Sequence, residues 1–255
     1  MDEDNNLKSL PITKLFPNVV TLLGLCCGLT AIKFTFIKQY ELSIIFILIA
    51  AIVDGIDGRI ARLFRSTSHF GAELDSFADF LSFGVAPAFL LYFWVLKEIR
   101  VVGWMLVMIY VTCMSIRLAR FNISLNEKKL PWQNFFFAGV PAPLGALLLL
   151  LPVIITFQLY ESEYVFIAER FLTKNNIAIY SGVIALLLIS NIPTFSAKHL
   201  YIPKNLSYIF MLIFGILIIS LITKPWITLP IVGLIYILTI PISSAVYLYF
   251  AYKNH

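Results

Sequence analysis

Six aspartates occur in this 255-residue chain, and four of them lie between positions 54 and 79. Asp54 and Asp57 close the stretch "LSIIFILIAAIVDGID", and Asp75 and Asp79 follow in "GAELDSFAD". After Glu169 there is no further acid. An aspartate at the centre of a membrane helix costs about 2.5–3.5 kcal/mol on insertion scales. Four such residues need a partner of opposite sign. At about 100° per residue, Asp54, Asp57, Gly58 and Ala61 share one helical face, and Gly71, Asp75, Asp79 and Ser82 share another. The small residues Gly58, Ala61 and Gly71 are expected to let the two backbones approach closely.

Three kinds of chemistry fit such a cluster. It could hold hard divalent cations, Mg²⁺ or Mn²⁺ rather than zinc, because no His or Cys joins the group. It could line a cation pathway through a transporter. It could pair structurally with Arg59, Arg62 and Arg65, although Arg59 points well away from the acidic face and Arg62 sits at its edge.

The elements that must carry these residues are apolar helices. Hydrophobic residues make up 60% of the chain, and the mean hydropathy is +0.90. Apolar runs are continuous rather than alternating, which argues against a β-barrel. The expected fold is an all-α polytopic membrane protein of about eight spans, near 18–37, 43–63, 72–97, 101–120, 135–157, 176–192, 207–223 and 227–250. With both termini inside, twelve Lys and Arg lie on the inner side and seven on the outer. That asymmetry favours a cytoplasmic N-terminus. The acidic start "MDEDNNLKSL" does not read as a cleavable signal, and "LKSLPITKLF" is compatible with an interfacial helix or a plain tail. Cys26, Cys27 and Cys113 lack metal spacing and read as small packing residues. The prolines of "GVPAP" are compatible with a helix kink. Basic loops read as membrane anchors, with no nucleic-acid patch among them.

The spacing narrows the choice. D-x-x-D-G-x-x-A-R, eight residues, then G-x-x-x-D-x-x-x-D resembles the signature of the CDP-alcohol phosphatidyltransferases. Asp54, Asp57, Gly58, Ala61, Arg62, Gly71, Asp75 and Asp79 fill every position. "LFPNVVTLLGLCCGLTAI" is similar to the family's first helix. "DFLSFGVAPAFLLY", "RLARFN", "FAGVPAP" and "IPTFSAK" resemble its serine-using branch. The resemblance implies a six-helix catalytic domain over 18–204, preceded by a cytoplasmic N-terminal segment over 1–17 that is an interfacial helix or a plain tail, and followed by two additional helices with a short tail over 205–255. It implies transfer of a phosphatidyl group from CDP-diacylglycerol to L-serine, releasing CMP, at the cytoplasmic face of the inner membrane. Glycerol 3-phosphate or an inositol phosphate remains an alternative acceptor.

By the same resemblance, Asp54, Asp57, Asp75 and Asp79 hold two divalent metals, and Asp79 is also the general base. Asn18, Thr21, Gly58, Arg62, Ser68 and Gly71 match positions that hold the CDP portion. Relatives are commonly homodimers. From chemistry alone, Arg117 and Arg120 are candidates for the serine carboxylate or a phosphate, because such an anion needs a cation, and Asn122 is placed to assist. The alternative for the two arginines is a plain interfacial anchor.

Overall fold

The structure is a computed structural model that describes residues 12–63, 69–124, 131–160, 166, 170–195 and 204–253. The chain divides into two compact units, Met1–Ser82 and Phe83–His255. The first contains α1 (Ile12–Phe36), α2 (Tyr40–Leu63) and α3 (His69–Asp79). A π-helical turn, Phe80–Val85, begins directly after Asp79. Such widened turns recur at functional sites.

The α1 helix runs against α2 through a three-residue turn. Lys38 adopts a left-handed φ of 60° there, and Gln39 N–H donates to the Phe34 carbonyl at 2.9 Å. Buried hydroxyls lock the turn. Ser43 donates to the Ala31 carbonyl at 2.8 Å, so its contact with Thr35 at 2.8 Å is a bond that Thr35 donates. Phe34 stacks on Phe46 with centroids 5.3 Å apart.

Two glycines set how closely α1 approaches its neighbours. A Cβ at Gly24 would touch Val53 of α2 at 3.5 Å. At Gly28 it would lie 2.5 Å from Ser82 Oγ and 3.0 Å from the Ser82 Cα. Ser82 in turn donates to the Gly24 carbonyl at 3.3 Å. The expectation that Gly58 serves close packing is corrected here. Among the described residues, a Cβ at Gly58 would meet nothing within 4 Å. Among the described glycine contacts of this unit, the tight ones are made by α1, whose flat face at 24 and 28 admits its neighbours.

The second unit holds α4 (Ala86–Trp94), a 3₁₀ turn (Leu96–Ile99), α5 (Val101–Ser124), a second 3₁₀ turn (Pro131–Phe135) and β1 (Phe136–Ala138). It continues with α6 (Ala142–Tyr160), α7 (Lys174–Ile189), β2 (Pro193–Phe195), α8 (Lys204–Thr223) and α9 (Pro225–Lys253). Its core is α6, buried from Gly145 through Ile154. Gly145 lets α7 approach, since a Cβ there would lie 2.5 Å from Leu188 Cδ2. Tyr110, wholly buried, donates to the Phe83 carbonyl at 3.1 Å. Tyr180 donates to the Leu148 carbonyl at 2.7 Å.

The fifth span starts at Ala142, not near 135. The residues before it pair as an antiparallel ladder, Phe136 with Phe195, Phe137 with Thr194 and Ala138 with Pro193. Gly139 then turns with φ of 77°. Thr194 Oγ1 donates to its carbonyl at 2.8 Å. Pro141 and Pro143 thus lead into and begin a helix, where proline is tolerated, and neither kinks a helix interior. Pro152 is the proline inside α6.

Among the described residues, six helices are long and apolar enough to cross a membrane: Pro17–Phe36, Phe70–Trp94, Val101–Ser124, Ala142–Tyr160, Asn205–Thr223 and Pro225–Lys253. Helix α7 is apolar but shorter, and α2 is interrupted by its own acids. With these two added, the helices correspond to the eight expected spans, and the chain is an all-α multi-pass membrane protein. Residues 1–11, including half of the interfacial candidate "LKSLPITKLF", lie outside the described residues. Helix α1 begins at Ile12, so residues 12–17 belong to it.

Candidate active site and metal centre

The last three turns of α2 bring Asp54 and Asp57 to the first unit's acidic centre, and α3 supplies Asp75. One carboxylate oxygen from each lies within 4.8 Å of the others. Asp57 is 6% exposed, and Asp54 and Asp75 are half-buried. Asp79 is half-buried one turn beyond Asp75 and outside this three-acid group. The periodicity of the two helices is what converges the acids, since 54 and 57, and 75 and 79, each recur at one-turn spacing.

The first helix contributes a contact that spacing does not reveal. Thr21, 5% exposed, places its hydroxyl 3.0 Å from Asp57 Oδ2 and 3.2 Å from the Pro17 carbonyl of its own helix. Asn18, half-buried, sits nearly one turn earlier on α1. Gly58 is exposed, and among the described residues nothing lies within 4 Å of where its Cβ would be. Gly71 is half-buried at the start of α3. The α2 backbone includes Arg62, but its side chain lies outside the described atoms, and Ser68 lies outside the described residues.

In the second unit, α5 carries Arg117, Arg120 and Asn122, all half-buried. The Arg117 guanidinium lies 5.7 Å from the Phe121 ring centroid, a cation–π contact. Arg120 donates to the Ile189 carbonyl at the last turn of α7 and to the Asn191 side-chain oxygen. A cation on the carbonyl end of a helix is favourably placed. Arg120 therefore ties α5 to α7 whatever else it binds. Asn191 was not singled out from the sequence, since nothing local marks a contact 71 residues away.

Three oxygen-bearing acids this close repel one another unless a cation lies among them. The donor set contains no nitrogen or sulfur, so it suits a hard divalent ion. Asp54, Asp57 and Asp75 could hold such a metal.

The class defined by fold and centre is thus a multi-pass helical membrane protein with a metal-competent acidic site between its first helices. Family comparison agrees with the spacing. The chain matches the description "CDP-alcohol phosphatidyltransferase" over residues 14–189 and "CDP-alcohol phosphatidyltransferase 2" over residues 205–241. The chain belongs to the CDP-alcohol phosphatidyltransferase family.

Three relatives share the name CDP-diacylglycerol–serine O-phosphatidyltransferase. The chain is 34% identical to that of Mycobacterium leprae over 231 residues, covering 90% of this chain and 74% of the relative. It is 36% identical to that of Helicobacter pylori (strain J99) over 181 residues, 70% of each chain. Identity to that of Methanocaldococcus jannaschii is 43% over 130 residues, 51% of this chain and 56% of the relative.

Proposed function

We propose that the protein transfers the phosphatidyl group of CDP-diacylglycerol to the hydroxyl of L-serine, giving phosphatidylserine and CMP. The observation that carries this is the convergence of Asp54, Asp57 and Asp75 within 4.8 Å, at the positions of the family signature. The relatives' names support serine as the acceptor.

In the reaction, the serine oxygen forms a bond to the phosphorus that bears the lipid, and the bond from that phosphorus to the CMP oxygen breaks. Asp54, Asp57 and Asp75, with Asp79 beside them, would hold two divalent ions, Mg²⁺ or Mn²⁺, which when bound would supply polarisation of the pyrophosphate and stabilisation of the leaving oxygen. Asp79 accepts the hydroxyl proton as serine attacks, because a neutral hydroxyl is a poor nucleophile. The open face at Gly58 admits the nucleotide against the helix backbone. Asn18, Arg62, Ser68 and Gly71 hold the CDP portion, Arg62 by paired N–H donors to phosphate. Arg117, Asn122 and the donors of Arg120 that do not face α7 receive the serine carboxylate.

The domain runs over 18–204, and the matched segment 205–241 adds family-related helices to it. The protein acts as a homodimer in the inner membrane with its site toward the cytoplasm, where both serine and the pyrophosphate headgroup are reachable. Nucleic acid is not a partner.

The decisive assay is CMP release by purified protein in vesicles containing CDP-diacylglycerol. Release should require both serine and Mg²⁺ or Mn²⁺. Release without serine dependence would remove the acceptor, and no release from folded protein would remove the transfer reaction. In Asp79→Asn, CDP-diacylglycerol binding should persist while turnover falls by at least a hundredfold, on the scale of a lost general base (roughly 10²–10⁴). Near-normal turnover would exclude Asp79 as the base.

A further inference from the structure

Thr21 is buried on α1, and its hydroxyl has two acceptors within reach, the Pro17 carbonyl at 3.2 Å and Asp57 Oδ2 at 3.0 Å. A hydroxyl carries one proton, so at any moment it donates to one of them. The Pro17 contact is the ordinary bond of a helical threonine to the carbonyl four residues back. The Asp57 contact spans 36 residues and reaches another helix. An ionised carboxylate is the stronger acceptor, by roughly twofold over a neutral carbonyl. The Thr21 hydroxyl therefore donates to Asp57.

We infer that Thr21 is a positioning residue for the metal centre: its hydroxyl fixes one oxygen of Asp57 so that the carboxylate faces Asp54 and Asp75. This rests on the reading of the three acids as metal ligands, and it assigns Thr21 a role other than direct contact with the nucleotide. The geometry favours the change. Thr21 is almost fully enclosed, whereas Asn18, nearly one turn away, is half-buried and keeps a polar group available.

The placement also has a backbone cause. Gly24 and Gly28 bring α1 against Val53 of α2 and against Leu81 and Ser82. One turn before Gly24, the same face of α1 presents Thr21 to α2. Small residues thus set the helix distance, and the hydroxyl uses that distance to restrain a ligand. Partners that orient a metal ligand commonly contribute about 10–100-fold in metal affinity.

The test uses the full-length protein in detergent and reads Mn²⁺ binding directly by electron paramagnetic resonance. CDP-diacylglycerol KM is measured separately at saturating Mn²⁺. Thr21→Val keeps the shape and removes the hydroxyl. It should weaken Mn²⁺ binding about tenfold or more, while KM for CDP-diacylglycerol stays within about twofold. Thr21→Ser should restore the wild-type Mn²⁺ affinity. Thr21→Ala, a second hydroxyl-free variant, should repeat the loss if Thr21→Val does not fold.

Unchanged Mn²⁺ affinity in the hydroxyl-free variants would overturn the inference. So would a raised KM with unchanged Mn²⁺ affinity, which would return Thr21 to the nucleotide. A wild-type protein that binds no Mn²⁺ would instead remove the underlying metal reading, and the two failures are told apart by the wild-type measurement.

Discussion

Replacing Asp75 with asparagine should stabilise the metal-free protein while abolishing its response to metal. Two unit charges 4.8 Å apart repel by about 3.5 kcal/mol at an effective dielectric of about 20. Asp75 takes part in two of the three pairs. Water at the half-exposed Asp54 and Asp75 weakens the repulsion, leaving about 2–3 kcal/mol of relief when one charge is removed. For a chain of this size that is a rise of roughly 5 °C or more in melting temperature. The assay is thermal unfolding in detergent with chelator, repeated with Mn²⁺. In chelator, Asp75→Asn should melt above wild type. At a hundred times its dissociation constant, Mn²⁺ should add about 2.7 kcal/mol to wild type and little to the variant, so the gap closes or reverses. A variant that melts at or below wild type in chelator would refute the reasoning. It would mean that the chain neutralises its own acids, as structural pairing with arginine requires.

Two further substitutions probe the surroundings. Gly58→Leu should leave melting at or up to about 1 kcal/mol above wild type, because a Cβ there meets nothing among the described residues and a glycine inside a helix costs about that much, yet raise the CDP-diacylglycerol KM at least tenfold; an unchanged KM would show that the nucleotide does not cross that face. Arg120→Ala should destabilise by about 2 kcal/mol and Asn191→Ala by about 1, with the double variant losing about 1 less than their sum. Additivity within about 0.5 kcal/mol in urea or thermal unfolding would show that the two do not act together.

The acidic centre was legible because charge is rare and costly in an apolar helix, so four aspartates at one-turn spacing stand out. The helices were legible for the same reason in reverse, from uninterrupted apolar length. What escaped the sequence depends on contacts between distant segments. The start of α6 moved to Ala142 because residues 136–138 pair with 193–195, a ladder no local pattern announces. Gly58 reads like Gly28 as a letter, but among the described residues a Cβ at the first would meet nothing and at the second would meet Ser82. Thr21 and Asn18 read as one motif, yet they differ in burial, and the hydroxyl of Thr21 reaches Asp57. Arg120 could be recognised as a cation at a helix end, but the α7 carbonyl that it holds is 69 residues away.

The acids of α2 also bear on how the chain enters the bilayer. Helix α1 supplies an uninterrupted span of 20 residues from Pro17, whereas α2 carries two aspartates that lipid rejects. Only a three-residue turn separates the two helices. During synthesis α1 emerges first and can already occupy the membrane when α2 follows, offering it the Gly24 face and the Thr21 hydroxyl in place of lipid. The two helices are then best regarded as one inserting hairpin. A change that weakens α1 would be felt as poor membrane integration of α2 before any step of chemistry is reached.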